Sequence, residues 1–121
     1  GLQLISLLAP TTDDSRLALA CAHAQGYLYY VSMAGVTGKD LAQSGDLTLR
    51  VGAIRAAAPV PVYVGFGIKD AASAKACAAY ADGVIVGSAL VSVLADCDTP
   101  EQAATAATAF LQPIRAALDG V

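Results

Sequence analysis

Basic residues are sparse in this sequence: seven Lys and Arg stand singly against ten Asp and Glu, giving a net charge of −3. No basic stripe can follow a phosphodiester backbone and no polybasic patch can hold an anionic membrane, so neither nucleic acid nor a membrane surface is expected as a partner. Long apolar runs are missing too. The longest, such as 83–94, are broken by Gly and Ser and are too short to cross a bilayer, and the N-terminus has no charged leader pattern. A soluble, cytoplasmic protein is expected. Histidine occurs once, as His23, on the first expected helix with no ligand set near it, so no metal site is expected. Cys21, Cys77 and Cys97 are odd in number and follow neither a disulfide nor a zinc spacing; they read as small buried or half-buried thiols. Carboxylates at strand ends are also wanting. Asp13, Asp14, Asp40, Asp46, Asp70, Asp82, Asp96, Asp98, Glu101 and Asp119 fall mostly at helix caps and turns, where local stability explains them. Proton transfer at a strand-end site would need a base from elsewhere.

What is present is apolar mass in a repeating order. A hydrophobic content of 56% over 121 residues suffices for one domain, residues 1–121, with a real core, and nothing argues for two. The chain enters an apolar run directly from Gly1, which reads as a cut end. Residues 3–8 form a first apolar run, and Thr11 to Asp14 supply capping oxygens for a helix to about Gln25, stopped by Gly26. Residues 27–31 are β-branched and aromatic, hence a strand, followed by a long polar connection to Gly45. Asp46 is expected to cap a helix with Leu47, Val51, Ile54 and Ala58 on one face, ended by Pro59 and Pro61. A strand over 62–64 follows. Asp70 opens an alanine-rich helix to about Tyr80, Asp82 and Gly83 turn the chain, and 84–86 make the fourth strand, with a short helical turn after Ser88. Thr99, Pro100 and Gln102 combine an N-cap, a first-turn proline and a capping-box glutamine, opening a last helix with Ala103, Ala107, Phe110 and Ile114 inward; Pro113 is expected to kink or break it. Strand and helix alternate four times, and the strands are continuous apolar runs, the pattern of a parallel sheet covered on both faces.

Two of those strands run straight into glycine: Val64-Gly65-Phe66-Gly67-Ile68 and Val86-Gly87-Ser88. Parallel βα units carry ligand sites at the carboxyl ends of their strands, and glycine there lets backbone N–H groups approach an anion closely. A helix beginning at Ser88 would aim its positive end at the same point. Any one such glycine can simply make a tight turn; as a set they indicate an anion site in which Gly65, Gly67 and Gly87 offer N–H groups, Ser88 a hydroxyl and Phe66 a wall. Strand parity puts Tyr27 and Tyr29 on one face with Val31, and Tyr30 on the other. A phenol at Tyr29 can hydrogen-bond a substrate or fill volume.

The segments Gly26-Tyr27-Leu28-Tyr29-Tyr30-Val31-Ser32, Gly35-Val36-Thr37-Gly38, Val64-Gly65-Phe66-Gly67-Ile68 and Ala81-Asp82-Gly83-Val84-Ile85-Val86-Gly87-Ser88-Ala89, with Leu7-Leu8-Ala9-Pro10-Thr11 ahead of them, resemble the tryptophan synthase α chain in order and spacing over nearly the whole sequence. The resemblance implies an α/β fold, half of a TIM (β/α)8 barrel: four consecutive parallel βα units, strands five to eight of the family barrel. It implies tryptophan biosynthesis, the family being a carbon–carbon lyase that cleaves indole-3-glycerol phosphate to indole and glyceraldehyde 3-phosphate and passes indole to a β chain. No cofactor of its own is implied. Carried over by residue, Gly38, Phe66, Gly67, Gly87 and Ser88 would hold the substrate phosphate, with Gly65 supporting the turn. Tyr29 would position the indole glycerol portion with Tyr27 nearby, and Thr37 would sit on a loop that closes over the site. The family's acid/base aspartate and glutamate belong to the first half of the barrel and have no counterpart here. Two readings follow: a lyase fragment that binds the phosphate, or a non-catalytic phosphate-binding half-barrel that pairs with a second copy through its open sheet edges. Other phosphate-binding barrels, such as phosphoribosylanthranilate isomerase or thiamine-phosphate enzymes, fit the tyrosine strand and the Gly-Val-Thr-Gly segment less well.

Overall fold

The computed structural model describes residues 1–32, 45–65 and 67–120, with Gly45 and Asp46 described by their backbone. Its elements run β1 (Leu7–Leu8), α1 (Asp14–Ala22), β2 (Leu28–Val31), α2 (Gly45–Ala57), β3 (Val62–Gly65), α3 (Ala71–Ala78), β4 (Gly83–Ile85), α4 (Ser88–Ala95) and α5 (Pro100–Asp119). The four strands form one parallel sheet in sequence order, β1-β2-β3-β4. Such an order, with a helix returning the chain after each strand, winds the sheet in one direction.

Register fixes which side chains share a face. Leu8, Tyr30, Val64 and Val84 lie abreast, as do Leu7, Tyr29, Tyr63 and Gly83 one residue back. The first row faces the helices. Leu8, Leu28, Tyr30, Val62 and Val64 are buried there against Leu47, Val51 and Ile54 of α2, Ala74 and Cys77 of α3 and Ile114 of α5. The second row faces away, and it is only half-covered: Tyr29 and Tyr63 are intermediate in burial while Leu7 is 65% exposed. Continuous apolar strands led to an expectation of two covered faces. Among the described residues one face is packed, and the other is the concave side around which a barrel would close.

The helix starts follow local chemistry. Asp13 caps α1 by accepting from Arg16 N–H at 2.8 Å, and Asp70 caps α3 in a reciprocal box with Ser73. Thr99 caps α5 by accepting from Gln102 N–H at 3.1 Å, but the Gln102 side chain reaches one residue further back, to Asp98 N–H, rather than to Thr99. Asp46 is not a cap, because α2 already includes Gly45. α1 ends at Ala22, earlier than expected, and α4 is an eight-residue helix rather than a single turn. Gly83 opens β4 instead of belonging to the turn before it. Pro113 does not break α5, which runs twenty residues through it. Pro113 and Ala109, whose carbonyl loses its usual partner, are both exposed, so water can satisfy that carbonyl while Phe110, Ile114 and Leu118 hold the helix from the other side.

Candidate functional site

At the carboxyl ends of β3 and β4 the chain leaves the sheet in two short turns, and between them lies a cleft of about 320 Å³. It is lined by Tyr29, Gly67, Ile68, Lys69, Ile85, Gly87, Ser88 and Ala89. Gly67 has φ +86°, a left-handed conformation that glycine adopts without the steric cost a Cβ brings. Gly87 is the N-cap residue of α4 and makes no side-chain cap, and Ser88 is the first residue of the helix. The helix's own bonding begins where Val91 N–H donates to the Gly87 carbonyl at 3.0 Å. The N–H groups of Ser88, Ala89 and Leu90 are therefore left over by helix geometry, at the positive end of the helix and beside the cleft. A Cβ built on Gly87 would meet nothing within 4 Å, so the space before it is open to a ligand.

Beneath the cleft, Tyr29 and Gly65 interlock. A Cβ on Gly65 would stand 2.6 Å from Tyr29 Cε1 and Cζ, so the glycine is what allows the phenol ring to lie across β3. Ser32, buried at 3% exposure, clamps the same strand end: its hydroxyl donates to the Gly65 carbonyl at 2.9 Å and its N–H donates to it at 3.2 Å. The last turn of β3 is thus held from β2 just before it enters the cleft. Tyr63 repeats the device one strand over, with a Cβ on Gly83 falling 2.9 Å from its ring. Tyr27 stacks on Tyr63, centroids 4.6 Å apart and planes at 22°.

Tyr29, Gly67, Gly87 and Ser88 of the expected site residues are therefore brought together around one cleft, with Gly65 supporting Tyr29. Tyr27 lies against Tyr63 and does not line the cleft. Thr37, Gly38 and Phe66 lie outside the described residues. Ile68, Lys69, Ile85 and Ala89 were not singled out from the sequence. Ile85 and Ala89 follow from the strand and helix positions of Gly87 and Ser88, whereas Lys69 carries no pattern that marks it. Among the described lining residues none is Asp or Glu. The core groups whose acidity burial shifts lie elsewhere: burial pushes the Cys77 thiol and the Tyr30 phenol up, and burial together with the Cys77 contact at 3.2 Å pushes Tyr80 up. All three stay protonated at neutral pH in the core between sheet and helices. No group of three or more His, Cys, Asp or Glu able to hold a metal occurs among the described residues. Nor, among them, is any helix long and apolar enough to cross a membrane.

The sequence model of the tryptophan synthase alpha chain family matches residues 1–119. This chain belongs to that family. It is 55% identical over 121 residues to the tryptophan synthase alpha chain of Xylella fastidiosa strain M12, and 55% identical over 120 residues to that of Xanthomonas oryzae pv. oryzae strain MAFF 311018. These alignments take in 100% and 98% of this chain but 45% of each relative. Among solved structures, tryptophan synthase subunit alpha from Legionella pneumophila strain Paris superposes with a TM-score of 0.77 at 36% identity, covering 100% of this chain and 44% of that one. Tryptophan synthase from M. tuberculosis in its aminoacrylate-bound form gives 0.74 at 32% identity, covering 97% of this chain and 40% of that one. The chain thus spans less than half the length of the tryptophan synthase alpha chains it matches. Four parallel βα units in an open sheet are what half of such a barrel supplies.

Proposed function

We propose that this chain is the phosphate-binding half of a tryptophan synthase alpha-type lyase, taking indole-3-glycerol phosphate in the cleft between β3 and β4. The observation that carries the reading is the meeting of Gly67, Gly87, Ser88 and Tyr29 around one opening, in a chain of this family. The phosphate would sit against the N–H groups of Gly67 and of the first turn of α4, where the backbone donates without a side chain in the way. Ser88 would add its hydroxyl, and Phe66 and Gly38 would complete the cradle. The indole glycerol portion would lie across the concave face beside Tyr29, whose phenol is positioned by Gly65, with Thr37 on the closing loop.

Cleavage of the carbon–carbon bond to release indole and glyceraldehyde 3-phosphate needs a proton donor and acceptor at the indole end. The described lining residues include no carboxylate to serve as the base, so the 121-residue chain on its own would hold the substrate without cleaving it. The lyase reaction would require the complementary half-barrel carrying the acid/base carboxylates, and the assembled protein would then deliver indole to a β chain. The test is complementation. Mixing this chain with the complementary segment of the Xylella fastidiosa relative should yield indole from indole-3-glycerol phosphate, and neither piece should do so alone. Absence of indole from a mixture that forms a stoichiometric complex would remove the lyase reading.

One observation favours a second reading. β1 and β4 are both edge strands, and Leu7 on β1 is largely exposed, so two copies can pair edges into a closed eight-stranded assembly. Such a protein would be a non-catalytic, self-associating phosphate binder.

A further inference from the structure

We propose that Lys69 is the cationic contact of the phosphate cleft, making anion binding by this chain electrostatic and salt-sensitive rather than a matter of backbone N–H groups alone. The inference rests on the phosphate reading of the cleft and goes beyond it by naming the charge that selects a phosphate dianion.

Lys69 is the one charged side chain among the described residues lining the cleft. Its backbone is fixed from two sides: the preceding Ile68 is buried at 5% exposure in the core, and the Lys69 N–H donates to Ser73 Oγ at 3.0 Å. Its Cα is therefore held at the rim, four residues past the strand end Gly65 and four before Ser73. The flexible stem of lysine lets the ammonium swing over the opening as a point charge. A neighbouring carboxylate could have neutralised it. Asp70, however, is committed to its helix: Oδ1 accepts from Ser73 N–H at 2.8 Å and from Ser73 Oγ at 2.8 Å. Lys69 makes no ion pair among the described residues. A cation that acts on the adjacent Asp70 carboxyl, but that no carboxylate among the described residues holds in an ion pair, is thus anchored beside an open space where a helix N-terminus and a left-handed glycine already favour negative charge. Phosphate monoesters, doubly charged near neutral pH, profit from such a contact more than singly charged or neutral ligands do.

The test titrates the 121-residue chain with inorganic phosphate by calorimetry at low and at high sodium chloride, together with Lys69→Met, Lys69→Arg and Lys75→Met. Lys75 lies exposed on α3 and does not line the cleft, so Lys75→Met matches the net charge of Lys69→Met. Lys69→Met is expected to bind about fivefold more weakly at low salt and to lose most of the salt dependence. Lys69→Arg should retain both, and Lys75→Met should behave as the unmodified chain. If Lys69→Met and Lys75→Met bind equally, the assignment of Lys69 is overturned while the phosphate cleft stands. If the unmodified chain binds no phosphate, both fall.

Discussion

Tyr29 and Gly65 sit on neighbouring strands, and the phenol ring occupies the space a Cβ on the glycine would need. Gly65→Ala should therefore destabilise the chain by about 1–3 kcal/mol, the range for forcing a methyl group into packed space. The penalty should shrink to below about 1 kcal/mol when Tyr29→Ala is already present, since the ring is what the methyl strikes. Urea denaturation of the four combinations measures this; equal penalties in both backgrounds would mean the clash lies elsewhere. At this scale the sequence was informative about face but silent about partner. Alternation along β2 placed Tyr27 and Tyr29 opposite Tyr30, and burial follows that parity. Which glycine lies under Tyr29 depends on register between strands far apart in sequence, and no local pattern states it. Lys69 escaped notice for a related reason, because an exposed lysine after a glycine turn looks like any solvated surface charge.

Elements are joined by a few polar contacts that a reading of caps and turns underrates. Asp82 is one. Its carboxylate accepts from Val62 N–H at 2.9 Å and pairs with Arg55 of α2 at 2.8 Å, while its own N–H donates to the Val62 carbonyl at 2.9 Å. The Val62 N–H, with Arg55 beside it, holds the Asp82 carboxyl below the usual carboxylate range. A carboxyl depressed on folding stabilises the fold at neutral pH; that contribution declines as pH falls toward and through the folded value and is gone once both states are protonated. Asp82→Asn should therefore cost about 1 kcal/mol at pH 7, discounted for its partial exposure, and progressively less in acid. Parallel melts of the two proteins down to about pH 3 check the sign, and a gap that widens in acid would contradict it. α5 gives a second prediction. Pro113→Ala restores a backbone donor to Ala109 and should raise stability by about 1–3 kcal/mol in chemical denaturation; a loss would mean the helix is built around the proline. The caps at Asp70 and Thr99 were legible because capping is local chemistry. The persistence of α5 was not, because burial of Ile114 and the packing of α5 on α3 and α4 outweigh a single unfavourable residue.

Across the whole molecule, alternation of apolar strands with helical segments was enough to give four parallel βα units in sequence order. It could not show that, among the described residues, one face is packed and the other partly open, because strands lining a barrel and strands between two helix layers read alike. With edge strands at β1 and β4 and Tyr29, Tyr63 and Leu7 on a partly open face, the isolated chain is expected to self-associate. Sedimentation equilibrium at tens of micromolar should show dimers or larger species, and a well-folded monomer at that concentration would rule out the edge-pairing reading. The central claim is the proposal that this half-barrel would hold the substrate phosphate in a cleft whose described lining includes no carboxylate to help break the carbon–carbon bond. The most direct measurement gives the 121-residue chain indole-3-glycerol phosphate and follows binding and indole release in the same sample. The expected result is saturable binding, competed by glycerol 3-phosphate, with no indole above the buffer control. Multiple turnovers of indole by this chain alone, or no binding at all, would contradict it.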